Sequence, residues 1–320
     1  FCRNNQVSGN DFSYGGDGIF INDNKNLPNA IQNFSGGYNT FSTNNCSYSP
    51  HNAIESVFSE GNRFIDNDCS FSHYGFWLGY SQNLLVENNT ITHNRQSGIA
   101  IDRGFDNQIL SNMIRENKRG IEIWQDDSPI SGYTQQSSNN YLVGKNYLIG
   151  NQTGLLSAQT ENMKATQNLF ITNLVGIQLE QSSRGDTLTG NRFSNTVRYH
   201  IINSSDSIVL ASNNSYGLNE KELIGCKMLD QQDGQAYKGI VWDPFIQATD
   251  PNLQLTPPED LTEADAEWIT FSEDGKPTLA SWNSDDYQKG QHSLHVQSSS
   301  SGNVVVHYTP ASLVQSRWDM

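Results

Sequence analysis

Basic residues are scarce: nineteen Lys and Arg stand against thirty-four Asp and Glu, a formal charge of −15. A field of that sign repels phosphate backbones and anionic lipid, which argues against nucleic acid and membrane surfaces as partners. No apolar run approaches the roughly 20 residues of a spanning helix, so no membrane insertion is expected. No charged-then-apolar leader precedes Phe1, which reads as a mature form or an internal fragment, secreted or held at the cell surface. Cysteine is rare. Cys2, Cys46, Cys69 and Cys226 show no CxxC spacing and no neighbouring His set for zinc, and they are too few for a disulfide scaffold. Also missing are GxSxG, HExxH, P-loop and helix-opening GxGxxG signals. With 320 residues, 35% of them hydrophobic, the chain can still bury a sizeable core.

What the chain has in excess is Asn: 37 residues, 34 of them before position 220. Asn is a poor former of helix and strand interiors, but it tolerates left-handed turns and its amide can bond to copies of itself stacked along an axis. Such a bias asks for a repeat. An Asn two residues ahead of an apolar residue or Cys recurs at Asn10, Asn44, Asn67, Asn89, Asn112, Asn146, Asn168, Asn191 and Asn214. The steps are 34, 23, 22, 23, 34, 22, 23 and 23 residues, so six are one unit and two are a unit plus about twelve residues.

Eight or nine residues after each of the first eight Asn, a small or turn residue opens an alternating strand, as in Gly18-Ile19-Phe20-Ile21, Gly98-Ile99-Ala100-Ile101, Gly120-Ile121-Glu122-Ile123 and Gly176-Ile177-Gln178-Leu179. Strands of period two separated by Gly and Asn corners, in units of 22–23 residues, predict an all-β parallel solenoid. Its rungs would stack about 4.8 Å apart into a rod about 40 Å long. Cys46 and Cys69 fall where other rungs place Phe12, Ile91, Ile114, Leu148, Phe170 and Phe193, so they are expected as neighbouring, unreactive core thiols rather than a disulfide or a nucleophile.

After residue 220 Asn almost disappears, and six of the nine prolines follow. Residues 220–250, with Gly239-Ile240-Val241-Trp242, read as the end cap of a solenoid domain over 1–250. A stiff, acidic linker is expected over 251–265. Short strands then follow, at His292-Ser293-Leu294-His295-Val296 and Val304-Val305-Val306-His307-Tyr308, with a turn at Glu273-Asp274-Gly275-Lys276-Pro277. Residues 266–320 are too few for a whole β-sandwich, so the chain is expected to stop inside its second domain.

The Gly-Ile-x-Ile and Asn-x-Ile rungs resemble those of bacterial right-handed parallel β-helix proteins of the pectin-lyase-like superfamily. The likeness covers about residues 1–250 and implies the fold. It does not choose a reaction, since that superfamily holds lyases, hydrolases, epimerases and adhesins. Leu229-Asp230 to Trp242-Asp243 resembles the terminal cap of such helices, and Gly290 to Val296 with Trp318-Asp319 resembles the start of a carbohydrate-binding β-sandwich.

Residues that break the repeat are the ones to read for chemistry. Both long steps carry their extra residues after the strand, near 22–38 and 124–139, on one edge four rungs apart, and predict the walls of a cleft. With Ala53 aligned to the Gly positions, the outward column reads Phe20, Glu55, Trp77, Ala100 and Glu122, and the next reads Asn22, Val57, Gly79, Asp102 and Trp124. A slip of one residue would turn Glu55 into the apolar core, an expensive unpaired charge. Trp77, Tyr80, Trp124 and Phe20 offer flat faces and polar tips for a sugar ring, and the alternative is that they merely pack beneath the loops. Ala100 and Gly79 would leave room for a ligand.

Glu55 and Asp102 lie two rungs and one column apart, about 12 Å between Cα atoms. A carboxyl separation of roughly 6.5–9.5 Å suits an inverting glycosidase. Trp77 beside Glu55 would make it the acid, and Arg103 would keep Asp102 ionised as the base. Asp17 and Glu122 are reserve carboxylates, Asp17 reading equally as a turn residue in Gly15-Gly16-Asp17-Gly18. His73 and His93 are expected at exposed corners, without a role. No cofactor is required, though Ca²⁺ would suit the oxygen ligands near Asn22-Asp23-Asn24 or Asp126-Asp127.

The leading expectation is a secreted enzyme cleaving a polysaccharide with a carboxylate pair. One rival is a uronic-acid lyase or C5-epimerase using Arg103, Arg119, Tyr80 or His93 as base with Ca²⁺ on the sugar carboxylate. Another is a non-catalytic binding or adhesion rod. Crowding of exceptional residues into the first five rungs favours an enzyme, since later rungs show Leu156, Gln178 and Ile201 outward without paired acids.

Overall fold

A computed structural model describes residues 2–22, 37–125 and 138–248 with their side chains. Beyond them it describes the backbone of the strands Ala266–Ser272, Leu279–Asn283, Ser293–Gln297 and Val304–Pro310. The proposed cleft walls at 23–36 and 126–137, the linker, the turn at 273–277 and Trp318-Asp319 lie outside the described residues. So do the suggested Ca²⁺ positions at Asp23-Asn24 and Asp126-Asp127.

The first compact unit, Phe1–Gln254, is a parallel β-solenoid. Its strands stack into sheets of ten, nine and five, all neighbours parallel, with one described helix at Lys221–Gly225. The nine-stranded sheet runs Ile19–Asn22, Asn52–Val57, Tyr74–Trp77, Ser97–Asp102, Arg119–Trp124, Thr153–Ala158, Val175–Gln181, Tyr199–Ser205 and Met228–Leu229. The stretch read as a cap begins as one more rung: Met228–Leu229 pairs with Ile201 and Ile202, and Ile240–Val241 with Val209 and Leu210.

The predicted Asn column exists as a continuous amide ladder. Each Nδ2 donates to the Oδ1 of the next rung, from Asn10 to Asn44 (3.0 Å) through Asn112 to Asn146 (3.0 Å) and on to Asn191 and Asn214 (3.0 Å). Each Oδ1 also accepts the backbone N–H of the preceding Asn, as Asn112 Oδ1 does from Asn89 (2.9 Å). Two further ladders flank it, Asn5–Asn39–Asn62 five residues before and Asn94–Asn117–Asn151–Asn173 five residues after. Buried amides that use both ends this way recover the cost of leaving water.

Inside, one apolar column runs Cys46, Cys69, Ile91, Ile114, Leu148, Phe170 and Phe193, all essentially buried. Both cysteines are free thiols, and burial, with Asp68 and Asp11 nearby, pushes Cys46 up to about 12. A column of glycines at the start of the nine-stranded sheet is required by close approach: a Cβ on Gly120 would lie 2.5 Å from the Gly154 carbonyl oxygen, and one on Gly154 2.7 Å from that of Gly176.

Two corner expectations are corrected. Ile201 points inward, wholly buried beside Ile177, and Ile202 is the outward residue opposite Gln178. The corner after Asn191 carries one more residue than the corner after Asn168, and with a period of two a single residue exchanges the faces. His93 is no exposed corner: it is 6% accessible, its Nε2 lies 2.6 Å from Glu116 Oε2, and its ring stacks on Phe71. It continues a pile of parallel rings, Tyr14–Tyr48–Phe71–His93, with centroids 5.0, 4.9 and 4.9 Å apart.

The second unit, Leu255–Met320, contains two antiparallel pairs, Ala266–Ser272 with Val304–Pro310 and Leu279–Asn283 with Ser293–Gln297.

Candidate functional site

The outward register of the nine-stranded sheet is the expected one through the first five rungs. Phe20 pairs with Glu55, Glu55 with Trp77, Trp77 with Ala100, and Ala100 with Glu122, while Asp102 pairs with Trp124. Phe20, 56% exposed, stands at the open end of this strip. Trp77 and Trp124 meet edge to face at 5.5 Å, although they belong to rungs two steps apart. Ala100 lies between those rungs and is fully buried, so its small side chain makes room for the Trp pair rather than for a ligand. Tyr74 also meets Trp77 edge to face, with centroids 5.0 Å apart.

The four carboxylates sit in three environments. Asp102 is 7% accessible and its Oδ2 accepts from the Tyr80 hydroxyl (3.0 Å) and from Arg103 Nη1 (3.2 Å). Arg103 also donates to the Tyr80 oxygen, and its guanidinium lies 5.3 Å from the ring centroid. Burial, reinforced by the Asp102 charge and hydrogen bond, pushes the Tyr80 phenol up to about 12. Glu122 is held by Arg119 Nη1 (2.8 Å) and the Ser97 hydroxyl.

Glu55 and Asp17 are brought together at the other end of the strip. His51 Nδ1 lies 2.7 Å from Asp17 Oδ1 and 3.9 Å from Glu55 Oε2, and the three ligating atoms all fall within 4.8 Å of one another. Asn52 ties the group down: its N–H donates to Asp17 Oδ1 (2.9 Å) and its Nδ2 to Glu55 Oε2 (2.6 Å). Burial first, then the Asp17 charge, raises the Glu55 carboxyl above the usual range, against the opposing pull of Asn52 and His51. Such a group keeps its proton to a higher pH than an ordinary Glu.

Sequence reasoning named Asp17 and Glu55 separately and missed His51 and Asn52, which join them. The signal available was positional: His51 ends the corner before the Ala53 strand, and Asp17 is the residue before Gly18 in the preceding rung. Of the base candidates for a lyase, Arg103, Tyr80 and His93 are engaged as above, and Arg119 bonds Glu122. Further along the same face, a depression of about 310 Å³ lies among Arg119, Glu122, Trp124, Gln159 and Glu180, floored by Leu156 and Ala158.

Comparison with known proteins adds one family. A family model described as periplasmic copper-binding protein (NosD) matches residues 1–132. No curated protein matches the chain. Among solved structures it is similar to the Dettilon tailspike protein (gp208), at 13% identity and a TM-score of 0.46, over 86% of this chain and 55% of that one. It is also similar to a mutant of the periplasmic alginate epimerase AlgG, at 16% identity and a TM-score of 0.39, over 67% and 45%. The chain spans about half the length of these solved structures.

Proposed function

We propose that this protein binds a polysaccharide along the outward strip of the nine-stranded sheet and cleaves it at Glu55, outside the cytoplasm, as a member of the pectin-lyase-like β-helix group. The observation that carries the reading is the carboxylate pair at the head of an aromatic strip: Asp17 and Glu55 oxygens within 4.8 Å, followed along the sheet by Trp77 and Trp124. The likeness of residues 1–132 to a periplasmic family supports the location.

Glu55, with its raised pKa, gives its proton to the departing glycosidic oxygen while Asp17, fixed by Asn52 and His51, attacks the anomeric carbon, and water activated by the deprotonated Glu55 then hydrolyses the resulting ester. A carboxyl gap near 5 Å suits a glycosidase that retains configuration, whereas 6.5–9.5 Å suits inversion. Asp17 therefore takes the place in the pair first considered for Asp102, and Asp102 braces Tyr80 and Arg103 instead. Trp77, Trp124 and the exposed Phe20 supply apolar faces for sugar rings. The antiparallel strand pairs of 266–320 would add a carbohydrate-binding segment.

One panel tests this: neutral and acidic polysaccharides with wild type, Glu55→Gln, Asp17→Asn and Asp102→Asn. Reducing ends should appear without unsaturated-uronide absorbance, and Glu55→Gln should lower the rate by about 100-fold or more. Cleavage unchanged in both Glu55→Gln and Asp17→Asn would defeat the assignment. A second reading, a uronic-acid lyase or epimerase, is favoured by His51, whose ring is 63% exposed and backed by Asp17. A lyase would show as that absorbance, and an epimerase as inversion at C5 without chain cleavage, each abolished by a chelator. The metal in the family's description also has to fit the donors present. Among the described residues no cysteine belongs to a group of three or more donors that could hold a metal ion, so a thiolate cage for Cu⁺ finds no support. Nitrogen and oxygen donors suited to Cu²⁺ are gathered at Asp17, His51 and Glu55.

A further inference from the structure

Around His51 one polar contact is left unserved. Its Nδ1 lies 2.7 Å from the Asp17 carboxylate and 3.0 Å from Asn52 Nδ2, and in either tautomer it serves only one of these two contacts. One atom cannot donate and accept at once. Turning the Asn52 amide over would set its oxygen 2.6 Å from Glu55 Oε2, which suits a protonated Glu55 and not an ionised one. Asn52 is 1% exposed, its side chain is aimed into the cluster, and its Oδ1 has no hydrogen-bond partner. A buried amide left half-satisfied beside two acids and an imidazole marks a place where a further group belongs.

A cation takes the lone pair of Nδ1 on the neutral imidazole and, by displacing the Glu55 proton, offsets the charges of both carboxylates. We infer that Asp17, His51 and Glu55 form a binding site for one first-row divalent metal ion of the Zn²⁺ or Cu²⁺ class. Imidazole with two carboxylates is a donor set for such ions, and Ca²⁺ is disfavoured because it takes oxygen ligands only. The three atoms span 4.8 Å or less, so small side-chain shifts, opening the 2.7 Å contact of His51 with Asp17 and closing the wider ones, bring each to the roughly 2.0–2.2 Å typical of Zn–N and Zn–O bonds. His51 is 63% exposed, which leaves an open side for water or a ligand. The site stands on geometry alone. Its consequence rests on the reading of Glu55 as acid: a metal-bound carboxylate carries no proton, so the loaded protein cannot protonate a glycosidic oxygen there.

Titration calorimetry of the metal-stripped protein with Zn²⁺ alone, and with Cu²⁺ alone, tests the site without any sugar. One equivalent should bind, with affinity at least tenfold weaker in His51→Ala and in Asp17→Asn, which keeps the side-chain volume. His73→Ala, on the next rung, should bind like wild type, and saturating metal should raise the melting temperature of wild type but not of His51→Ala. Absence of a one-equivalent event, equal affinity in His51→Ala, or equal loss in His73→Ala would each overturn the inference. Binding without cleavage of any polysaccharide sinks the glycosidase reading and leaves the site. Cleavage that Glu55→Gln abolishes, with no metal binding, does the reverse.

Discussion

Two Asn columns run along the same rod five residues apart, and they behave differently. The column from Asn10 to Asn214 is unbroken, and every amide serves the rungs beside it. The column beginning Asn5, Asn39 and Asn62 gives way to Leu84, returns at Asn107, and then passes through Tyr141, Met163 and Asp186. Leu84 and Met163 abandon polarity and simply bury, each about 1% exposed, and Tyr141 donates its hydroxyl to the Gly104 carbonyl (2.6 Å). Asp186 keeps one function of Asn, its Oδ1 accepting the Met163 N–H (2.8 Å), but its other oxygen is buried without a partner. An amide is neutral and two-ended, a carboxylate is neither, and the column shows the cost of the exchange.

The comparison is broken most severely by cutting the complete ladder. Asn112→Ala removes the acceptor of Asn89 N–H and Nδ2 and the donor to the Val86 carbonyl, all buried. It should destabilise by about 3 kcal/mol, read as a lower denaturant midpoint, and a loss below about 0.5 kcal/mol would make the ladder ornamental. Asp186→Asn should act oppositely. Burial lifts the Asp186 carboxyl to about 7 in the folded chain, opposed by its bond from Met163, while the unfolded value stays near 3.8. The folded state thus binds the proton more tightly, and stability falls as pH rises from about 4 to 7. The neutral amide should restore on the order of 2–4 kcal/mol at pH 8 and flatten that slope in melts taken across the range.

Glu116 shows the reverse sign. Its burial is outweighed by His93 and Arg115, which hold the carboxyl down to about 2. The stability it contributes is present above about 4.5 and is lost as pH falls towards 2. With a third of the side chain exposed, His93→Ala should remove only about 1 kcal/mol of it, seen as a weaker acid dependence of melting. The smallest effect is expected on the strip: Trp124→Ala should weaken polysaccharide binding by about 1 kcal/mol and leave folding intact, by affinity electrophoresis beside a melt.

The period of the solenoid, the inward thiols and the outward register of Phe20, Glu55, Trp77 and Glu122 were legible because each repeats at a fixed spacing that backbone pairing enforces. The flanking ladders at Asn39 and Asn117 obey the same spacing, offset by five residues, and could have been found from it. The ring pile at Tyr14, Tyr48, Phe71 and His93 was also available, four residues after each ladder Asn, but it sits in left-handed corners where aromatics are unexpected. What escaped was set by corners. One added residue before Ile201 exchanged faces, and the approach of His51 to Asp17 depends on a corner whose path no periodicity fixes. The Trp77–Trp124 contact over Ala100 depends on side-chain length across two rungs, which strand alternation does not encode.

The central claim is that the ladder amides serve the fold while the Asp17–Glu55 pair is held together for chemistry at some expense to stability. The most direct test is the melting temperature of Glu55→Gln at neutral pH, with cleavage measured on the same sample. Because burial and Asp17 disfavour the ionised Glu55, the variant should melt at or above wild type while cleavage is lost. A variant that melts several degrees lower would contradict the claim, because Glu55 would then be a brace of the fold like the ladder amides.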